Sequence, residues 1–68
     1  MLKSIRAVCW KRWNMILAYD PEFGEYFFCA FIGTIPARRI NLGISKNEAM
    51  LDFQSEVEEL IIEHNRSP

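Results

Sequence analysis

EYFFCAFI, residues 25–32, carries apolar side chains at nearly every position. In an extended chain successive side chains point to opposite faces. Tyr26, Phe28, Ala30 and Ile32 therefore share one face and Phe27, Cys29 and Phe31 the other. Neither face is written for water. The pattern predicts a central strand covered from both sides, and that demand governs the reading of its neighbours.

Before it, NMILAY (residues 14–19) is rich in apolar and aromatic residues and is separated from it by DPEFG (residues 20–24), whose Asp-Pro and Gly give turn chemistry at both ends. The two stretches read as a hairpin. After GTIP (residues 33–36) comes ARRINLGI (residues 37–44), where Ile40, Leu42 and Ile44 alternate with Arg39, Asn41 and Gly43. One apolar and one wet face describe an edge strand. A three-stranded antiparallel meander with residues 25–32 in the middle fits all three patterns.

The last third reads as a helix. Ser45 followed by Glu48 is a capping box, which satisfies backbone N–H groups that a helix start leaves without partners. Met50, Phe53, Val57, Leu60 and Ile61 recur at spacings of three and four, the apolar stripe of a helix from about 46 to 64. Asn65, Ser67 and Pro68 are expected to end it. Residues 2–13 admit two readings. Leu2, Ile5, Cys9 and Trp13 form a helical stripe with Lys3 and Lys11 away from it, whereas a strand leaves basic residues on both faces. A helix is favoured, because two helices would cover the two apolar sheet faces. The expected fold is α+β, one small domain over residues 1–68 in the order α-β-β-β-α, with an N-terminal helix, the meander and a long C-terminal helix.

Apolar residues make up 50% of the 68-residue chain and charged residues 25%, a globular balance rather than a disordered one. A chain this short buries only about 60% of its unfolded surface, so a staple or a partner is the usual remedy. MLKSIRAVCWKRW does not have the form of a secretory signal, so a cytoplasmic location with Cys9 and Cys29 as reduced thiols is expected. One His and two Cys, with no CxxC or HxxxH, cannot supply the four ligands of a structural zinc site. No cofactor is expected, and no apolar run reaches the eighteen or so residues of a membrane span. Oligomerisation or a protein partner remains.

Function is sought first in catalysis. His64 follows Leu60 by one turn on the apolar stripe, where a helix-end histidine favoured by the dipole is the plain reading. No Ser, Cys or second His stands at a motif-like spacing to it, and there is no glycine-rich phosphate loop. Cys9 and Cys29 read as small buried hydrophobes. The expected class is non-enzymatic.

The net charge of −1 conceals a polarity. Lys3, Arg6, Lys11 and Arg12 stand near the start, and six acids stand in residues 46–68. Asp52, Glu56, Glu59 and Glu63 share one helix flank, where like charges cost a few tenths of a kcal/mol per pair. A solvated face is the commonest meaning of such a row; the alternative is an offsetting basic surface, Arg38 and Arg39 of the same or a second copy, or a basic partner protein. Leu51 and Ile62, with Ser55 and Glu58, form a narrow second stripe beside it. Acid beside apolar points to protein contact. The expected partner surface is Leu51, Asp52, Glu56, Glu59, Ile62 and Glu63, in a homodimer or a regulatory complex. The alternative is nucleic-acid binding through Trp10, Lys11, Arg12, Arg38 and Arg39, since aromatics interleaved with cations stack bases and hold phosphates. A pI near 5.7 disfavours a broad phosphate-binding surface.

With these parts placed, residues 14–64 resemble the β-β-β-α domain of HicB-like antitoxin proteins. The likeness is carried by DPEFG (residues 20–24) with Tyr26, then INLG (residues 40–43), then Gly43 and Ser45 opening an acidic helix with Glu48 and Ala49. The family's Pro-Gly-Cys-like element is replaced by TIPARR (residues 34–39). The resemblance implies binding to a small basic toxin. Autoregulation at an operator is not expected, because no DNA-binding segment follows the helix. The α-β-β-β-α order also resembles the double-stranded-RNA-binding domain, but SKNEAM (residues 45–50) has one lysine where that family has a phosphate-gripping cluster.

Overall fold

Three tight turns organise the chain into a sheet. Lys11 and Arg12 form a two-residue loop that leaves Trp10 directly opposite Trp13. Lys11 takes a left-handed backbone conformation, φ 54°, which a side chain adopts at a cost. In the second turn Asp20 Oδ1 accepts the Glu22 N–H at 3.0 Å and the Asp20 carbonyl accepts the Gly24 N–H at 2.7 Å. In the third, Gly33 adopts φ 63° between Ile32 and its partner Ile35. The Gly33 N–H also donates to the Arg12 carbonyl at 3.0 Å, which ties the first and third turns together at one end of the sheet.

The computed structural model describes residues 1–66. Its elements are β1 (Lys3–Trp10), β2 (Trp13–Asp20), β3 (Glu25–Ile32), β4 (Ile35–Gly43) and α1 (Lys46–Arg66). All strand pairs are antiparallel, in the spatial order β1-β2-β3-β4. The fold is therefore β-β-β-β-α, and the expected three-stranded α-β-β-β-α order is wrong. The expected N-terminal helix is absent. Residues 3–10 pair along β2 from Lys3 opposite Tyr19 to Trp10 opposite Trp13, with an irregularity between Ser4 and Arg6.

The physical reason lies in β2. Without β1, eight residues of an apolar strand would present unpaired N–H and C=O groups along an edge. Pairing satisfies them, and it also sets Val8 and Trp10 against the core. With its first helix gone, the likeness in element order to the double-stranded-RNA-binding domain goes too. The helix runs on through Asn65 to Arg66, while Ser67 and Pro68, expected to help end it, lie outside the described residues.

Cross-strand register sorts the side chains. Trp13, Met15 and Leu17 of β2 share a face with Tyr26, Phe28 and Ala30 of β3, because each pair stands opposite across the ladder or adjacent to one that does. Helix α1 lies on that face. Gly43, at φ 88°, ends β4, and its N–H donates to Asn41 Oδ1 at 2.7 Å. Ser45 then opens the helix, its Oγ accepting the Glu48 N–H at 3.4 Å. Ala49, Phe53, Val57 and Leu60 are buried against the sheet, and the Phe28 and Phe53 rings meet at 5.8 Å. At the far end Trp13 Nε1 donates to His64 Nε2 at 3.1 Å. Trp10 and Trp13 both meet the His64 ring edge-on.

Among the described residues no second layer covers Phe27, Cys29 and Phe31, so the expectation of a central strand covered on both sides is also corrected. Phe28 and Phe27 are neighbours in sequence with opposite surroundings. Phe28→Ala is expected to cost about 3–5 kcal/mol. Phe27→Ala, in dilute solution, is expected to cost about 1 kcal/mol, since a half-buried ring forfeits part of its transfer energy. Denaturant unfolding of the two variants measures this, and equal losses would contradict the one-sided layering.

Candidate protein interface

The face of the sheet opposite α1 follows from the same register. Ala7 and Cys9 of β1 stand opposite Ile16 and Asn14 of β2. Those stand opposite Cys29 and Phe31 of β3, and Ala18 stands opposite Phe27. On β4, Arg39 and Asn41 stand opposite Cys29 and Phe27. Ile16, Phe27 and Phe31 are half-buried within one sheet and, among the described residues, have no layer above them. A shallow groove of about 200 Å³, lined by Leu2, Ser4, Ile16, Ala18, Cys29 and Phe31, crosses this face.

The polar groups of the face lie around this apolar centre. Asp20 and Glu25 stand opposite each other at one end, two like charges across a ladder. Glu25 accepts from Asn41 Nδ2 at 2.8 Å. The Arg39 guanidinium lies 4.3 Å from the centre of the Phe27 ring, a cation held on an aromatic face. At the other end Cys9 donates to Asn14 Oδ1 at 3.1 Å, and Asn14 Nδ2 donates to the Gly33 carbonyl at 3.1 Å. Burial pushes the Cys29 thiol up, against a smaller lowering by Arg39. Burial thus favours the neutral thiol, which is the weaker nucleophile. Among the described residues, no three His, Cys, Asp or Glu side chains are grouped to hold a metal. No helix among them is long and apolar enough to cross a membrane.

The surface expected from sequence lies on the helix. Asp52, Glu56, Glu59 and Glu63 share the flank that looks toward β4, where Arg38 Nη2 meets Glu63 Oε2 at 3.1 Å. That pair is exposed and adds little stability. Glu56 sits within the row, and burial, together with Glu59, Asp52 and Glu63, raises its pKa against the pull of Arg38. Leu51 and Ile62 point away from the sheet, 72% and 53% exposed. Eleven positions apart, they are separated by about 16 Å of helix, with Ser55 and Glu58 between them. They do not form a continuous apolar patch.

The five residues expected for nucleic acid do not share one surface. Trp10, Lys11 and Arg12 gather at the first turn, with Lys11 Nζ 4.8 Å from the centre of the Trp10 ring. Trp10 is half-buried and engaged by His64. Arg38 lies on the helix side of β4 and Arg39 on the open side. The open face itself was not singled out from sequence as a binding surface. Its signal was present in Phe27, Cys29 and Phe31, together with Ile16 and Ala18, but it was assigned to a covering helix.

No family model, curated protein or solved structure matches this chain.

The raised pKa of Glu56 has a signed consequence. The folded state holds that proton more tightly than the unfolded state, so ionising Glu56 costs stability as pH rises through and beyond the ordinary glutamate range. Glu56→Gln is expected to raise the melting temperature at neutral pH. The gain should vanish in acid below that range. A variant no more stable than wild type at neutral pH would contradict the crowding of charge on this flank.

Proposed function

We propose that the chain is a small non-catalytic protein-binding module, cytoplasmic and regulatory, that engages protein through the open face of its sheet. The observation that carries this reading is the uncovered apolar centre formed by Ile16, Phe27 and Phe31 around Ala18 and Cys29. Four strands about 4.8 Å apart and eight or nine residues long, at about 3.3 Å per residue, make a whole sheet face of about 500 Å², polar positions included. Part of that area, the centre around Ile16, Phe27 and Phe31, is apolar, and a contiguous exposed apolar patch supports a reading as an interaction site. Polar groups at the ends of the face complete the apolar-centre, polar-rim layout of protein interfaces.

A second surface is supported by the raised pKa of Glu56. Four carboxylates on one flank would be relieved by a basic partner, which Leu51, Asp52, Glu56, Glu59, Ile62 and Glu63 would contact. The resemblance of residues 14–64 to HicB-like antitoxins supports the same partner class, a small basic protein, and makes the antitoxin-like role the specific form of the proposal. Nucleic-acid binding is the weaker reading, because Trp10 is already engaged and Arg38 and Arg39 face opposite ways.

A photo-crosslinking amino acid placed at Phe31 in living cells tests the proposal, with Gln54 on the exposed helix surface as the control position. The expected result is a protein adduct from position 31, either a second copy or another chain. Nucleic-acid adducts, or none, would overturn it.

A further inference from the structure

The last rung of the sheet runs across all four strands. Trp10 stands opposite Trp13, Trp13 opposite Ile32, and Ile32 opposite Ile35. Residues that stand opposite each other across a ladder share a face, so these four side chains lie together on the helix side. The end of α1 reaches only half of them. His64 meets Trp10 and Trp13, while Ile32 and Ile35 stay 37% and 67% exposed.

The turns beyond this rung carry cations and no acid. Lys11 and Arg12 are exposed, and among the described residues neither makes a salt bridge. Lys11 Nζ lies instead 4.8 Å from the centre of the Trp10 ring. Residues 1–19 and 26–47, which include both turns, contain no Asp or Glu. The Gly33 N–H bond to the Arg12 carbonyl and the Asn14 Nδ2 bond to the Gly33 carbonyl fix the two turns to each other, so the cations and the isoleucines ride on one rigid tip. The other end of the strands has the opposite sign. Asp20, Glu22 and Glu25 gather at the second turn, one eight-residue strand or about 26 Å away.

We propose that this tip docks on an anionic lipid bilayer, with Lys11 and Arg12 among the headgroup phosphates and Ile32 and Ile35 at the acyl boundary. Cations beside exposed aliphatic and Trp side chains are the elements that hold a protein in the plane of such a surface. The acidic end then points away from the bilayer. Three strand spacings make the rung about 14 Å wide, and at a layer depth of about 10 Å it offers far less than the roughly 800 Å² per side of a standard protein interface. A lipid surface requires no such matched area. Nucleic acid fits less well, because isoleucine does not stack on bases and the Trp10 ring is engaged by His64. Two cations and two aliphatic side chains give weak, reversible binding, on the order of 10⁴ M⁻¹, similar to one acyl anchor. The contact lies at the end of the sheet and leaves the open face free for protein, so it goes beyond the protein-binding reading and does not rest on it.

Co-sedimentation of the purified chain with vesicles tests the proposal. Binding is expected to phosphatidylcholine vesicles that contain phosphatidylglycerol and not to pure phosphatidylcholine, and it should weaken as salt is added. Lys11→Asn combined with Arg12→Gln removes both charges, puts at the left-handed position a residue that tolerates it, and should lower binding about tenfold. Ile35→Ser, at an exposed edge position, should lower it about fivefold. Lys3→Gln, at the opposite end of β1, should leave it unchanged. Failure to bind the anionic vesicles overturns the proposal, as does binding indifferent to both tip variants. A chain that binds single-stranded RNA but not the vesicles overturns it in favour of nucleic acid. None of these results alters the crosslinking outcome expected at position 31.

Discussion

One helix can cover only one face of a sheet, and this sheet is apolar on both. The interior strands β2 and β3 supply Met15, Leu17, Phe28 and Ala30 to the face under α1, where all four are buried. The same strands supply Ile16, Phe27 and Phe31 to the face that α1 does not cover. Since side chains alternate strictly along a strand, neither strand can withdraw its second apolar set without moving the first. Residual apolar surface is built into the chain at this point, and the proposed function follows from where that surface lies.

The covered face is closed at both ends by polar contacts that suit their positions. At one end Ser45 caps α1 immediately after the Gly43 turn, so the chain leaves β4 and enters the helix within a few residues. At the other, Trp13 donates to His64 across 51 positions of sequence, holding the last turn of the helix against the first hairpin. An imidazole that accepts at Nε2 carries its proton on Nδ1. His64 therefore serves the packing of the two tryptophans, a role that the reading of a dipole-favoured histidine at the helix end did not include. Arg38 reaching Glu63 adds an exposed link between β4 and the same region of the helix.

Much of this was legible in the sequence. The cap at Ser45 and the stripe through Phe53, Val57 and Leu60 located the helix, because a buried helical face must repeat every three to four residues. The turn chemistry of residues 20–24 located the β2–β3 hairpin. The first hairpin was hidden for two reasons. Lys11 and Arg12 form its loop without the Gly or Asn that normally marks a left-handed position. Edge strand β1 also meets water along most of its length, so Leu2, Ile5, Cys9 and Trp13 imitated a helical stripe more clearly than Val8 and Trp10 announced a strand. The acid row was visible as a pattern, and Arg38 was among the cations named to offset it. That Arg38 and Arg39 point to opposite sides is a consequence of strand geometry that became useful only once β4 was in place.

The direct measurement of the central claim is side-chain accessibility on a dilute, monomeric chain, read by NMR with a soluble paramagnetic probe. The ring protons of Phe27 and Phe31 should broaden strongly, while those of Phe28 and Phe53 stay sharp. Equal protection of all four rings in a chain of monomer mass would mean that some other part of the molecule already covers the second face, and the account built on its exposure would fail.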